Sequence, residues 1–140
     1  MYDVILFPTD GSEGSASARD HALELAADQG ATLHALYVVE ALSHEASVHS
    51  MVLEELTGRG EALVEAVAEL GDERGVPVET AVLEGNPAAT IVDYAEANGI
   101  DVIVMPTRGH SELTKAVLGS VTDKVIRMGT VPVVVTTLED

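Results

Sequence analysis

The sequence predicts an α/β protein with an open, doubly wound parallel sheet of five strands in the order 3-2-1-4-5 and helices on both faces. Strand-like and helix-like patterns alternate along all 140 residues, which implies right-handed crossovers between parallel strands. Continuous apolar runs at 4–7 and 102–105 are typical of central strands buried on both faces. Pro77 removes a ladder donor from the alternating run at 76–83, so that strand is expected at an edge.

The first half of the chain shows two strands and two helices. After the first strand, a stripe of apolar side chains predicts a helix over residues 13–29 that ends at Gly30. A second strand is predicted over 32–39. Residues 40–50 have the pattern of a loop or a frayed helix start, and a long helix then runs to near Gly75.

The second half continues the alternation after the edge strand. Asn86 followed by proline is a helix N-cap signal. Ser120 is predicted to open the last helix, with Asp123 three residues on as its capping-box partner. Gly129 ends that helix, and residues 131–136 form the last strand, which lies at the other edge of the sheet.

Composition and charge restrict the class of protein. A chain of 140 residues is the size of one domain, taken as 1–140. It has no cysteine, which excludes disulfides and thiolate chemistry. No apolar run is long enough to span a bilayer and no signal-peptide pattern is present, so a cytoplasmic protein is expected. The net charge of −17 argues against nucleic acid and anionic membranes as partners.

The balance of charges favours a salt-rich cell. There are 24 acidic residues against 7 basic ones, and the only lysines are Lys115 and Lys124. Such a chain suits a very salty cytoplasm, where salt screens the repulsion between exposed carboxylates. The alternative interpretation is an ordinary acidic protein of a non-halophile.

Two similar loops meet at the switch point between the first and fourth strands, where open α/β sheets bind ligands. Residues 8–12 read Pro-Thr-Asp-Gly-Ser, and residues 106–110 read Pro-Thr-Arg-Gly-His. Gly119 and Ser120 follow at a helix start, where free amides and the helix dipole attract anions. Spacing alone supports a ligand site and a purely structural role about equally.

The chain resembles the universal stress protein family along residues 2–137. The family's ATP-binding branch carries the pattern G-x2-G-x9-G-[ST]; Gly109, Gly119 and Ser120 match it, whereas Pro106 stands at the first glycine. The resemblance implies a Rossmann-like fold of the adenine nucleotide α-hydrolase type. The other residues that carry it are Pro8-Thr9-Asp10-Gly11-Ser12, Gly85-Asn86-Pro87, Val121 and Val131-Pro132-Val133-Val134-Val135.

The resemblance also implies an adenine nucleotide site, with ATP or a related nucleotide as ligand. Asp10 would lie near adenine and ribose, and the backbone of Val38 would meet the adenine. Any magnesium would be held mainly by the phosphates. For Asp10, a turn acid that bonds its own loop is the alternative. The full set of implied binding residues is Pro8, Thr9, Asp10, Val38, Gly109, Gly119, Ser120, Val121 and Thr122.

The expected function is therefore an ATP-binding stress-response or signalling module with little or no catalysis, at most slow ATP hydrolysis. The alternative is a family member that binds no nucleotide and acts as a dimeric interaction module, which Pro106 favours. A phosphotransfer enzyme is disfavoured because the chain lacks a Walker A loop and a GxGxxG turn. The apolar edge strand at 131–136 predicts a homodimer, since open edges invite pairing, and family members similarly pair this strand.

Overall fold

The structure is a computed structural model that describes residues 1–40, 46–107 and 119–137. Within these ranges the chain forms five strands and four helices in strict alternation. The elements are β1 (Val4–Pro8), α1 (Glu13–Gln29), β2 (Thr32–Val39), α2 (Ala46–Arg74), β3 (Val78–Glu84), α3 (Pro87–Ala97), β4 (Val102–Pro106), α4 (Ser120–Met128) and β5 (Val133–Thr136).

The strands form one parallel sheet in the order β3-β2-β1-β4-β5, which confirms the predicted fold class. β1 is central, because Ile5 pairs with Leu33 of β2 on one side and with Val102 of β4 on the other. β3 lies at an edge, as Pro77 predicts. Pro77 lies just before β3, and although its nitrogen cannot donate, its carbonyl accepts the Leu33 N–H at 2.9 Å.

Two hydrophobic cores lie on opposite faces of the sheet. Ile5 and Phe7 point into the core that α1 and α2 cover, and Leu6 points into the core that α3 and α4 cover. All three side chains are fully buried. Burial on both faces explains why this strand is a continuous apolar run and not an alternating one.

Local capping fixes the helix ends that the sequence predicts. The Ser12 side chain accepts the Ser15 N–H at the start of α1, and Asn86 accepts the Ala89 N–H at the start of α3. Gly30 ends α1 in the left-handed region at φ 68°, where a side chain would be strained. None of the helices in the described ranges is long and apolar enough to cross a membrane.

Three element boundaries differ from the sequence-based expectation. α2 already begins at Ala46, inside the segment 40–50. β3 begins two residues late because the Val76 N–H bonds the Gly71 carbonyl at 2.8 Å, which closes the end of α2. β5 begins at Val133, immediately after Pro132, which has no N–H to give to a ladder.

The predicted capping box of the last helix is wrong. The N-cap of α4 is Gly119, which has no side chain to make a cap bond, so Ser120 is the first helical residue and not the cap. Asp123 lies one position too far along the helix and pairs with Arg127 instead, at 2.9 Å. The position that a capping-box acid would occupy is held by Thr122, whose hydroxyl has another partner.

Candidate functional site

A cavity of about 450 Å³ opens at the carboxyl ends of β1, β2 and β4. It lies at the switch point, where the strand order reverses between β1 and β4. Most of the predicted site residues line it, and Gly109 lies outside the residues that the structure describes. The predicted residues in the wall are Pro8, Thr9, Asp10, Val38, Gly119, Ser120, Val121 and Thr122.

A proline ends each of the two strands that flank the mouth of this cavity. Thr107 donates its N–H across to β5 at 2.8 Å, so the alternation of the strand turns the Pro106 nitrogen toward β1. Thr9 donates to β2 at 2.9 Å, which turns the Pro8 nitrogen toward β4. The β1–β4 register has already ended at Leu6 and Ile103. Neither proline therefore costs a ladder bond, and the strands separate between them.

The end of β2 presents backbone groups to the cavity. The Leu36 carbonyl accepts from Thr9 on the β1 side, and the Val39 carbonyl accepts from Gly85 on the β3 side. This alternation directs the N–H and C=O of Val38 toward β1, one step beyond the last β1–β2 pair. Within the described chain neither group has a ladder partner. Val38 thus offers a donor and an acceptor side by side at the cavity wall.

The loop after β1 holds Asp10 in a tight turn. One carboxylate oxygen, Oδ1, accepts the Ser12 N–H at 2.9 Å, and Gly11 adopts φ 82°, which favours glycine. The turn-acid alternative for Asp10 is therefore present in the structure. Asp10 is nevertheless exposed at the cavity edge, so both interpretations of this residue remain compatible with its position.

Two hydroxyl groups meet beneath that loop. Thr9 Oγ1 lies 2.7 Å from Ser15 Oγ and also accepts the Gly11 N–H at 3.2 Å. Ser15 is only 2% exposed and lines the cavity. The pair joins the end of β1 to the first turn of α1 through side chains.

The first turn of α4 forms the opposite wall. The Thr122 hydroxyl donates to the Pro106 carbonyl at 2.8 Å, and the Gly119 N–H bonds the Thr107 carbonyl. These two bonds fix the helix against the end of β4. The N–H groups of the first helical residues, which include Ser120 and Val121, have no partner inside a helix. They form an anion-attracting end beside the cavity.

Apart from Pro106, which stands at the first motif glycine, sequence reasoning missed nine residues of the wall. They are Ser15, Leu36, Tyr37, Val39, Glu40, Leu56, Pro87, Ile91 and Met105. Glu40 adds a second carboxylate to that of Asp10, and no lysine or arginine occurs among the described lining residues. The sequence indicates a place for Tyr37 in the wall only indirectly, because Tyr37 precedes the predicted site residue Val38. Ser15 could be read from its place one turn into the helix that Ser12 caps, but Leu56 reaches the cavity only through tertiary packing.

The open parallel sheet, with its strand order reversing between β1 and β4, places the chain in the Rossmann-like class of α/β folds. In that class, ligand sites lie at the carboxyl ends of the strands. The chain belongs to the universal stress protein family, because the model of the Universal stress protein family matches residues 1–137.

Individual relatives cover nearly the whole chain. The chain is 38% identical over 140 residues to universal stress protein MJ0531 of Methanocaldococcus jannaschii, which covers 96% of this chain and 82% of that protein. The fold of this chain is similar to that of universal stress protein UspA from Lactobacillus plantarum. The TM-score is 0.88 at 27% identity, with 96% of this chain and 97% of that chain covered.

Two more distant structures of the same fold contain nucleotides. One is a universal stress protein in complex with cAMP, with a TM-score of 0.75 at 24% identity and 96% of both chains covered. The other is a universal stress protein family protein from Arabidopsis thaliana with AMP bound. Its TM-score is 0.72 at 16% identity, with 96% of this chain and 90% of that chain covered. At these identities the likeness is one of fold.

Proposed function

We propose that this protein binds an adenine nucleotide, ATP with magnesium or a related nucleotide, in the cavity at the switch point. The observation that carries the proposal is the pairing of two features across one cavity. Within the described residues, the N–H and C=O of Val38 lie on one side without a ladder partner. On the other side lie the N–H groups of the first turn of α4, which have no partner inside that helix. The backbone groups of Val38 can form hydrogen bonds with a base, and the amides of the first turn of α4 can bind phosphate.

The proposed roles follow from the chemistry of each wall. Adenine carries a ring acceptor next to an amino donor, which complements the adjacent donor and acceptor of Val38. Asp10 can accept from ribose hydroxyls with the oxygen that its turn leaves over. Ser120, Val121 and Thr122 would hold phosphate through amides and hydroxyls, with Gly109 and Gly119 as the remaining motif residues. Pro8 and Thr9 would complete the wall.

We propose a binding module of the stress-response type, built as a single domain, with little or no catalysis of its own. The described lining side chains are mainly apolar groups and hydroxyls with two carboxylates. Magnesium would be held mainly by the nucleotide phosphates. Cytoplasmic nucleotides are then the proposed partners, and the charge of −17 disfavours nucleic acid and anionic membranes.

Calorimetric titration with ATP and magnesium in high salt tests the proposal. Ser120→Pro and Ser120→Ala are a matched pair, because both lack the hydroxyl and only the proline lacks the N–H. Proline is well tolerated at the first helical position, and Gly119 already has the extended conformation that precedes a proline. Ser120→Pro should bind ATP about ten- to a hundredfold more weakly than Ser120→Ala, with adenosine unaffected.

The second candidate is an interaction module that binds no nucleotide. Pro106 favours it, because a proline offers no N–H to a phosphate. Native mass spectrometry of freshly purified protein separates the two candidates directly. A co-purifying adenine nucleotide supports the first, and a ligand-free chain that does not bind millimolar ATP supports the second.

Under either candidate, we propose a homodimer built on the β5 edge. β5 is half-buried and apolar, and only β4 pairs with it among the described strands. An apolar edge with free backbone groups favours pairing with a second copy. Sedimentation equilibrium at micromolar concentration in high salt should show a dimer, and a monomer throughout that range would contradict this assembly.

A further inference from the structure

We propose that the paired hydroxyls of Thr9 and Ser15 contact the bound ligand and donate a hydrogen bond to an acceptor atom of its nucleoside part. Ser15 is then a specificity-determining residue of the site. This inference rests on the proposed nucleotide binding, and it concerns atoms other than those that would hold the base edge and the phosphates.

The pair has one more donor than the protein can use. Two hydroxyls carry two O–H donors, and the 2.7 Å contact between Thr9 and Ser15 uses one of them. Neither hydroxyl has another acceptor within the described part of the chain. Ser15 is 2% exposed and lines the cavity. A buried donor without an acceptor is unfavourable, so a ligand that fills the cavity must supply one.

Both possible directions of the bond leave a donor and not an acceptor as the main free group. If Ser15 donates to Thr9, then Thr9 Oγ1 accepts twice, because Gly11 N–H already bonds it at 3.2 Å. The Thr9 O–H is then free. If Thr9 donates to Ser15, the Ser15 O–H is free. The pair therefore selects a ligand atom that accepts a hydrogen bond.

The position of the pair favours the nucleoside over the phosphates. Thr9 is adjacent to Asp10, whose carboxylate repels phosphate, whereas the α4 amides attract it from the opposite wall. Both hydroxyls are also held in place before any ligand arrives. The Thr9 N–H bonds the Leu36 carbonyl at 2.9 Å, and the Ser15 N–H bonds Ser12 Oγ at 3.2 Å. Ring nitrogens and ribose oxygens are the acceptors that a nucleoside offers.

Ser15→Ala and a set of altered adenosines test the inference. The analogues are 1-, 3- and 7-deazaadenosine, each with one ring nitrogen replaced by C–H, and 2′- and 3′-deoxyadenosine. Ser15→Ala should bind adenosine and ATP about three- to tenfold more weakly than the natural chain, by the same factor for both. In the natural chain, one analogue should bind more weakly than adenosine by that same factor. In Ser15→Ala, that analogue and adenosine should bind equally well.

A second pair of variants protects the test against misfolding of Ser15→Ala. Thr9→Val keeps the shape of the side chain without its hydroxyl, and Thr9→Ser keeps the hydroxyl. Thr9→Val should weaken adenosine binding, and Thr9→Ser should retain it. If adenosine affinity is unchanged in both Ser15→Ala and Thr9→Val, this inference is overturned and the proposed nucleotide binding still stands. The same holds if every analogue loses affinity equally in the natural chain. A natural chain that binds neither adenosine nor ATP overturns the proposed function and this inference together.

Discussion

Pro106 combines a missing donor with a place at the mouth of the cavity. Its ring nitrogen faces the gap toward β1, and its carbonyl accepts the Thr122 hydroxyl at 2.8 Å. A residue with an N–H at this position would direct that donor into the gap. The proline thus stands at the one point of β4 where losing a donor costs the sheet nothing but can cost a bound phosphate a partner.

We therefore expect Pro106→Gly to tighten ATP binding by about tenfold or more and to change adenosine binding less, because the gained amide lies on the phosphate side. Pro106→Ala is the control, since it restores the N–H without the conformational freedom of glycine. Calorimetry of both variants with both ligands is the measurement. Equal strengthening of ATP and adenosine, or no change with either variant, would show that the missing amide does not limit binding.

The buried His34, near the start of β2, and the half-buried Tyr94 give a prediction that does not depend on a ligand. The Tyr94 hydroxyl of α3 lies 2.7 Å from Nδ1 of His34, and the two rings pack edge to face at 5.6 Å. Burial raises the pKa of Tyr94 above its usual value of 10.0, and the charge of Glu79 raises it further. The folded state therefore holds the phenol proton more tightly than the unfolded chain does.

The neutral Tyr94 phenol makes its full contribution to the free energy of unfolding below pH 10. That contribution is lost as the pH rises through the pKa that Tyr94 has in the folded state. Tyr94→Phe should be less stable near pH 8 by about 0.5–1.5 kcal/mol, because the hydrogen bond is lost. It should then lose less stability than the natural chain above pH 10. Urea unfolding at a series of alkaline pH values checks this, and parallel pH profiles for the two proteins would refute it.

At the scale of single elements, the sequence predicts what local chemistry determines. The bounds of α1 and β2 match the expected 13–29 and 32–39, because Ser12 and Gly30 cap the helix by local bonds. The start of α4 does not match its predicted cap, since the partner of Thr122 is Pro106, a residue distant in sequence. Leu56 was not predicted for the same reason, because it reaches the cavity only through tertiary packing. Local sequence determines where a helix or strand begins and ends, whereas contacts between residues distant in sequence determine which side chains reach the cavity.

Gly58 and Gly60, two of the three glycines of α2, illustrate that limit. Helix propensity alone treats each of them as a weak point of the helix. A Cβ on Gly60 would overlap Cδ1 of Tyr37, whereas nothing lies within 4 Å of a Cβ on Gly58. Gly60 thus allows α2 to pack directly on the Tyr37 ring. That ring in turn forms part of the cavity wall.

Gly58→Ala should stabilise the protein by up to about 1 kcal/mol, through helix propensity alone. Gly60→Ala gains the same propensity but overpacks the Tyr37 ring, so it should destabilise by about 1–3 kcal/mol in net. Denaturant unfolding of the two variants side by side measures both effects. If Gly60→Ala were as stable as Gly58→Ala, the close contact between α2 and Tyr37 would not hold in solution.

For the whole molecule, charge is the property most unlike that of an ordinary domain. The sequence carries 24 acidic residues against 7 basic ones, and residues 1–100 hold most of the excess. Within the described ranges, ion pairs join Arg19 to Asp20 and Arg127 to Asp123, at 2.9 Å each. Carboxylates such as those of Glu61, Glu65 and Glu69 are spread over the exposed face of α2. Most of this negative charge therefore repels itself, and we propose that it is suited to a salt-rich cytoplasm.

We expect the folded state to depend on molar salt. The Debye length is about 30 Å at 0.01 M and about 3 Å at 1 M, so dilute buffer leaves the repulsion across the molecule unscreened. The melting temperature, followed by circular dichroism down a potassium chloride series, should fall as salt is removed, and sucrose should not substitute for the salt. In a triple variant with Glu61, Glu65 and Glu69 replaced by Gln, the melting temperature should fall less steeply as salt is removed, because one helix face carries three fewer charges. A melting temperature that is unchanged at low salt would mean that the carboxylates are tolerated without screening, and the protein would then be an ordinary acidic member of its family.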